Sequence, residues 1–141
     1  MKLFITGSDG FIGSALTAQC KSQGIEVTGA DIRSGFDIRS KDIAAYIPEG
    51  VDAVIHLAGL SNDTVCKNNG YHCFDINVLG TLNLMDAAAA RGAKQFIFAS
   101  SEWVYDNCTP DDVKTEDTFI NIANHTSEYA LSKLVSEANL R

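Results

Sequence analysis

One stretch, Thr6-Gly7-Ser8-Asp9-Gly10-Phe11-Ile12-Gly13, limits what this chain can become more than any other. Its three glycines, spaced G-x-x-G-x-x-G, directly follow the apolar run Leu3 to Thr6. They lead into a segment where Ile12, Ala15 and Leu16 recur at helical spacing, until Gly24 offers a C-cap. Strand, tight turn and helix follow in that order. Each glycine meets a steric need: a sharp turn, close approach of backbone to a phosphate, and close packing of helix on sheet. The helix then starts with free N–H groups at the positive end of its dipole, so the turn suits an anion.

The pattern continues to alternate. Ile25 to Ala30 predicts a second strand ending at Asp31, Gly35 to Ile38 a short third, and Ser40 caps a short helix that Pro48 closes. Asp52 to Gly59 is apolar at its centre on both faces, as a buried strand is, and a polar loop follows through Asn62, Lys67, Asn69 and Gly70. Helical spacing returns with Phe74, Val78, Leu82, Met85 and Ala89, ends at Gly92, and yields to an apolar strand, Gln95 to Ala99. Residues 107 to 126 are polar and acidic, which predicts a surface loop bordering the site; Ser127 caps a last helix with a stripe of Leu131, Leu134, Val135 and Ala138. Strands alternating with helices imply an α/β fold, a doubly wound parallel sheet with helices on both faces.

At 141 residues and 45% apolar content, the chain suits one domain spanning 1–141. A net charge of −7 supplies no basic field, which argues against nucleic acid or an anionic membrane as partner and leaves room for a small anionic ligand. No apolar run approaches the roughly 20 residues needed to span a bilayer, and the start is too short for a signal peptide, so a soluble, cytoplasmic protein is expected. The four cysteines, Cys20, Cys66, Cys73 and Cys108, form no C-x-x-C pair and predict free thiols. Cys66, His72 and Cys73 come nearest to a metal cluster, but adjacent His and Cys point poorly at one ion and no second ligand pair follows, so no metal is expected.

Asp31 lies 18 residues after Gly13, at the end of the second strand, where a carboxylate accepts hydrogen bonds from both ribose hydroxyls of a dinucleotide and repels a 2′-phosphate. NAD is therefore preferred to NADP, although Arg33 could pair with the extra phosphate. Tyr129 and Lys133 stand four residues apart on one helix face. A tyrosine of pKa near 10 is a poor base at neutral pH, and a neighbouring ammonium lowers that value by stabilising phenolate. Ser100 and Ser101 fall at the carboxyl edge of the sheet, where a hydroxyl can bond a reacting oxygen. Asn77, inside a helix without intrinsic preference for asparagine, points to local hydrogen bonding.

These residues together resemble the extended short-chain dehydrogenase/reductases, in particular the NAD-dependent epimerase/dehydratase family. The likeness runs through TGSDGFIG, Asp31, Asp37-Ile38, HLAG at 56–59, NVLGT at 77–81, SSEWVY at 100–105 and YALSK at 129–133. It implies that Gly7, Gly10, Phe11, Ile12 and Gly13 hold the pyrophosphate, Asp31 the ribose, and Asp37 with Ile38 the adenine. Leu57, Ala58 and Gly59 would line the cofactor, with Asn77 beside it. Ser101 would be the catalytic serine, Tyr129 the acid/base, and Lys133 the residue that binds nicotinamide ribose and tunes the tyrosine. The activity implied is oxidation of a nucleotide-sugar by hydride transfer to NAD, then re-reduction on the other face, as in an epimerase.

Departures narrow this. Dehydratases of the family carry an acid and then a glutamate directly after the catalytic hydroxyl residue; here Glu102 is followed by Trp103, which cannot be that base. Asp106 replaces the usual glycine after Val-Tyr, which leaves a sugar-nucleotide reductase or dehydrogenase as runner-up, with a non-catalytic NAD-binding module as the third option. Members run to roughly twice this length, on sheets of about six strands. The C-terminal strands and the substrate domain are therefore expected to be missing, and the strand at 95–99 to form an exposed edge. The resemblance also implies a homodimer through the helices around 78–90 and 129–140.

Overall fold

A computed structural model describes residues 1–106, 111 and 113–140. Among these, the chain forms two compact units: Met1–Gly59 with Leu79–Ala99, and Leu60–Val78 with Ser100–Arg141.

The first unit holds the sheet. Strands β1 (Lys2–Thr6), β2 (Glu26–Ala30), β3 (Ala53–His56) and β4 (Gln95–Phe98) are all parallel, in the order β2-β1-β3-β4. Register pairs Ile5 with Gly29 on one side and with Ile55 on the other. Helix α1 (Phe11–Ser22) joins β1 to β2, after which the chain returns across β1 to lay down β3. Strand order therefore reverses between β1 and β3, and a ligand crevice in such sheets lies at the carboxyl ends beside that reversal. The architecture is the expected Rossmann-type α/β sheet.

Alternation along the strands serves two cores. Leu3, Ile5 and Ala53 pack with Cys20 of α1, supported by Leu16, Val27 and Ile55. Phe4, Thr6, Val54 and His56, at most 1% exposed, point the other way. There Phe36 meets Phe4 edge-on at 5.7 Å, and His56 Nε2 lies 2.9 Å from Thr81 Oγ1 on α4 (Thr81–Ala90). Thr6 Oγ1 accepts from Ala58 N at 3.3 Å and lies 2.8 Å from His56 Nδ1. The His56 ring thus bridges the Thr6 and Thr81 hydroxyls, one on each nitrogen.

Two expectations for this unit are corrected. Gly35 to Ile38 is not a strand. Asp31 instead caps a 3-10 turn at Ile32–Ser34, Gly35 takes a left-handed φ of +87°, and Phe36 turns into the core. The short helix before Pro48 is a 3-10 turn, Ile43–Tyr46, that starts at Asp42; Ser40 Oγ accepts from Asp42 N at 3.3 Å.

The second unit contains α2 (Asp63–Cys66), α3 (Gly70–Phe74) and α5 (Glu128–Asn139), with 3-10 turns at Glu102–Tyr105 and Ile122–Asn124. The expected polar loop after Gly59 thus includes a helix, capped by Asn62 Oδ1 on Val65 N at 3.0 Å. Between α3 and α4 the helical register loosens into a π-helix, Asp75–Gly80. Ser127 caps α5 as predicted: its Oγ accepts from Ala130 N at 3.0 Å and donates to Asp63 Oδ1 at 2.6 Å.

Free thiols are also corrected. Cys66 and Cys73 form a disulfide, because the turn at 67–69 brings their Cα atoms to 5.1 Å, within bridging range. That bond takes both thiols out of the metal-ligand set weighed with His72. Cys20 is free and buried, while Cys108 lies outside the described residues, as do residues 107–110 and 112 of the predicted surface loop. No helix among the described residues is long and apolar enough to cross a membrane.

Candidate active site

The first unit builds a cradle from backbone. Gly7 has φ +70°, and a Cβ there would stand 2.8 Å from Ala58 N and 2.9 Å from Leu57 C. The β1 and β3 ends thus touch main chain to main chain at the strand-order reversal. A Cβ on Gly13 would fall 2.0 Å from Gly7 O, so the first turn of α1 lies directly on the glycine loop. Gly10 is the N-cap and offers no side chain, so the N–H groups opening α1 stay uncapped. Phe11 and Ile12, 96% and 63% exposed, flank that opening.

Asp31 directly follows β2 and is 6% exposed. Its Oδ1 accepts from Arg33 N at 3.0 Å and its Oδ2 from Asp9 N at 3.2 Å. The carboxylate therefore ties β2 to the glycine loop. Arg33 Nη1 donates to Asp9 O at 2.7 Å, so the guanidinium grips the same loop. Asp37 is clamped by Arg39 through Nη2 at 2.6 Å and Nε at 2.9 Å, which holds its carboxyl below the ordinary value. Ile38 is buried, and its carbonyl accepts from Asn83 Nδ2 at 2.8 Å. Uncapped helix donors, a close-packed glycine loop and a buried strand-end carboxylate fit a dinucleotide.

The second unit carries Tyr129, Lys133, Ser101 and Asn77. Tyr129 is 5% exposed, packed with Cys66 and Cys73 and flanked by Leu60 and Phe74. The Trp103 ring meets it edge-on at 6.3 Å. One turn along α5, Lys133 Nζ is 5.9 Å from the Tyr129 ring centroid. Burial lowers the Lys133 pKa from 10.5 to about 8, and Glu137 partly opposes the shift. Ser101 Oγ accepts from Trp103 N and donates to Glu102 Oε2, each at 3.2 Å, so its hydroxyl caps the turn that carries Trp103.

Asn77, 2% exposed, sits in the π-helix. Its Oδ1 accepts from Leu60 N at 2.8 Å, and its Nδ2 donates to Leu60 O at 3.1 Å and to Ser132 Oγ at 3.0 Å. Ser132 lies between Tyr129 and Lys133 on α5, and Ser136 Oγ contacts Asn77 O at 2.9 Å. Asn77 thereby fixes the helix that carries the pair. Sequence reasoning missed Asn83, Ser132 and Ser136; the available signal was a polar residue inside an amphipathic helix, which carries no partner with it.

Comparison with known proteins agrees with this geometry. The profile described as the NAD dependent epimerase/dehydratase family matches residues 3–141. The chain belongs to that family. Among its relatives, the GDP-6-deoxy-D-mannose reductase of Pseudomonas aeruginosa is 32% identical over 97% of this chain and 45% of its own length. A UDP-glucose 4-epimerase of Klebsiella pneumoniae is 36% identical over 74% of this chain and 92% of its own. Among solved structures, a short-chain dehydrogenase/reductase superfamily protein of Agrobacterium tumefaciens with bound NAD superposes with TM-score 0.82 at 33% identity, covering 98% of this chain and 43% of that one. The RMD protein of Pseudomonas aeruginosa, complexed with NADPH, gives TM-score 0.83 at 32% identity over 98% and 47%. The chain thus spans under half the length of the reductase and of both structures. Family members include epimerases and reductases, so the family is one of enzymes of the oxidoreductase and isomerase kind.

Proposed function

We propose that this chain is the cofactor-binding part, one domain over 1–141, of an NAD-dependent nucleotide-sugar epimerase. The observation that carries the proposal is the buried pair on α5, with the Lys133 ammonium one turn from the Tyr129 ring. A cation so placed stabilises the negative charge that gathers on the phenolic oxygen as a proton leaves or returns there. Bound NAD would accept hydride from a sugar carbon and return it. Tyr129 takes the proton of the neighbouring hydroxyl as that carbon is oxidised and gives it back on reduction. Ser101 leaves Glu102 and donates to the same oxygen.

In this proposal Gly7, Gly10, Phe11, Ile12 and Gly13 hold the pyrophosphate and Asp31 the adenosine ribose. Asp37 and Ile38 border the adenine, Leu57, Ala58, Gly59 and Asn77 line the cofactor, and Tyr129 and Lys133 bind nicotinamide ribose. The protein works as a cytoplasmic homodimer; a sedimentation mass of one chain would count against the dimer. Calorimetric titration with NAD and NADP is the direct test. NAD should bind more tightly than NADP, and Asp31→Ala should weaken NAD at least tenfold, about 1.4 kcal/mol; equal binding by the variant removes Asp31 from the site.

A second reading, a reductase on the same scaffold, is favoured by the Pseudomonas reductase, whose match extends over 97% of the chain. Turnover separates the two. An epimerase inverts a sugar hydroxyl with no net change in NADH absorbance, whereas a reductase consumes reduced cofactor with each keto-sugar.

A further inference from the structure

Two adjacent serines end the β4 segment, and the acid/base reading uses only Ser101. Ser100 Oγ donates to Glu137 Oε1 on α5. Glu137 follows Lys133 by four residues, so the two side chains rise from one helix face a turn apart. Helix preferences do not account for an acid there. α5 ends at Asn139, so Glu137 occupies the last turn, where the helix dipole disfavours an anion, and a lysine preceding its acid is the weaker pair orientation. A hydroxyl donor and a buried cation do account for it.

We propose that Glu137, anchored by Ser100, is a positioning residue that keeps Lys133 charged for its work on Tyr129; this rests on the acid/base reading above. Lys133 is 8% exposed, and burial alone drives it toward the neutral amine. The ionisable groups on elements packed against α5 are Asp63 on α2, Tyr71 and His72 on α3, Asp75 on the π-helix whose Asn77 bonds Ser132, and Glu102, Tyr105 and Asp106 at the 3-10 turn. Of these Asp63 already binds Ser127, Glu102 binds Ser101, and Asp106 lies 3.0 Å from His125 Nδ1. Glu137 is the acid whose charge opposes the loss of the Lys133 proton. Without it the ammonium deprotonates closer to neutrality, and less positive charge stands beside the Tyr129 ring.

The test is a lysine side-chain NMR titration of the chain, with the Lys133 signal assigned by its loss in Lys133→Arg. The midpoint should fall by roughly half to one pH unit in Glu137→Gln, the effect of one partly screened charge a helical turn away. Glu137→Asp should retain most of the wild-type value, and Ser100→Ala should fall between. In turnover assays the activity that is lost at alkaline pH, as Lys133 gives up its proton, should be lost at lower pH in Glu137→Gln. A Glu137→Gln midpoint equal to wild type in a folded variant, checked by circular dichroism, overturns the proposal. Full turnover by Tyr129→Phe overturns the acid/base reading instead, while the NMR midpoints still decide whether Glu137 holds the Lys133 proton.

Discussion

Replacing Gly13 by alanine sets two effects of opposite sign against each other. Gly13 lies inside α1, where alanine is favoured over glycine by up to about 1 kcal/mol. Its Cβ, however, would stand 2.0 Å from Gly7 O, 2.8 Å from Gly7 C and 2.9 Å from Ser8 Cα. All three are backbone atoms of a loop tied down at Asp9 by Asp31 and Arg33, so none can rotate aside. Reaching ordinary contact at 3.4 Å means moving the loop off the helix by more than 1 Å. Overpacking of this kind costs about 1–3 kcal/mol, and a main-chain obstacle belongs at the upper end, so the net loss is about 2 kcal/mol. Urea unfolding followed by circular dichroism should show a lower midpoint with unchanged slope. Gly24→Ala is the control: its Cβ meets open space and pays only for φ +73°, about 1 kcal/mol. A Gly13→Ala midpoint at or above wild type refutes the close-packing argument.

Asn77→Ala should destabilise by about 1–3 kcal/mol, because it removes both partners of the partly buried Leu60 backbone pair; a denaturation midpoint within error of wild type would show that solvent replaces those bonds. Changing Cys66 and Cys73 together to serine should cost about 2–3 kcal/mol through loop-closure entropy across seven residues, read as a lower melting temperature. The folded Lys133 pKa, about 8, lies below the unfolded 10.5, so the folded state binds fewer protons across that interval. Its burial penalty is complete below pH 8, and stability should rise by up to about 3 kcal/mol as pH climbs to 10.5. Lys133→Met should flatten that rise.

What the sequence made legible is what periodicity and glycine chemistry encode. The strands at 26–30, 53–56 and 95–98 and the helix at 128–139 fall close to the alternating and 3.6-residue patterns that predict them. The segment at 35–38 misleads because its apolar residues are buried without pairing: Gly35 breaks the extended run, and Phe36 packs on Phe4 and Tyr46. A π-helix over 75–80 leaves no mark in a pattern of period 3.6, since it changes the register by one residue. Residue types at the site were readable, but their partners were not. Asn77 meets Ser132 across 55 positions, and Cys66 meets Cys73 through a turn whose course the spacing does not reveal.

The relay from Ala58 N–H through Thr6 and His56 to Thr81 draws on three short motifs that look unrelated when the chain is read in line. The first link, Ala58 N–H to Thr6 Oγ1, orients the peptide against which Gly7 is packed. A change at Thr81 therefore reaches the glycine loop without touching it. The three motifs thus form one buried polar network: a residue without a hydroxyl at 81 takes away the oxygen that His56 Nε2 faces at 2.9 Å, while His56 Nδ1 keeps Thr6.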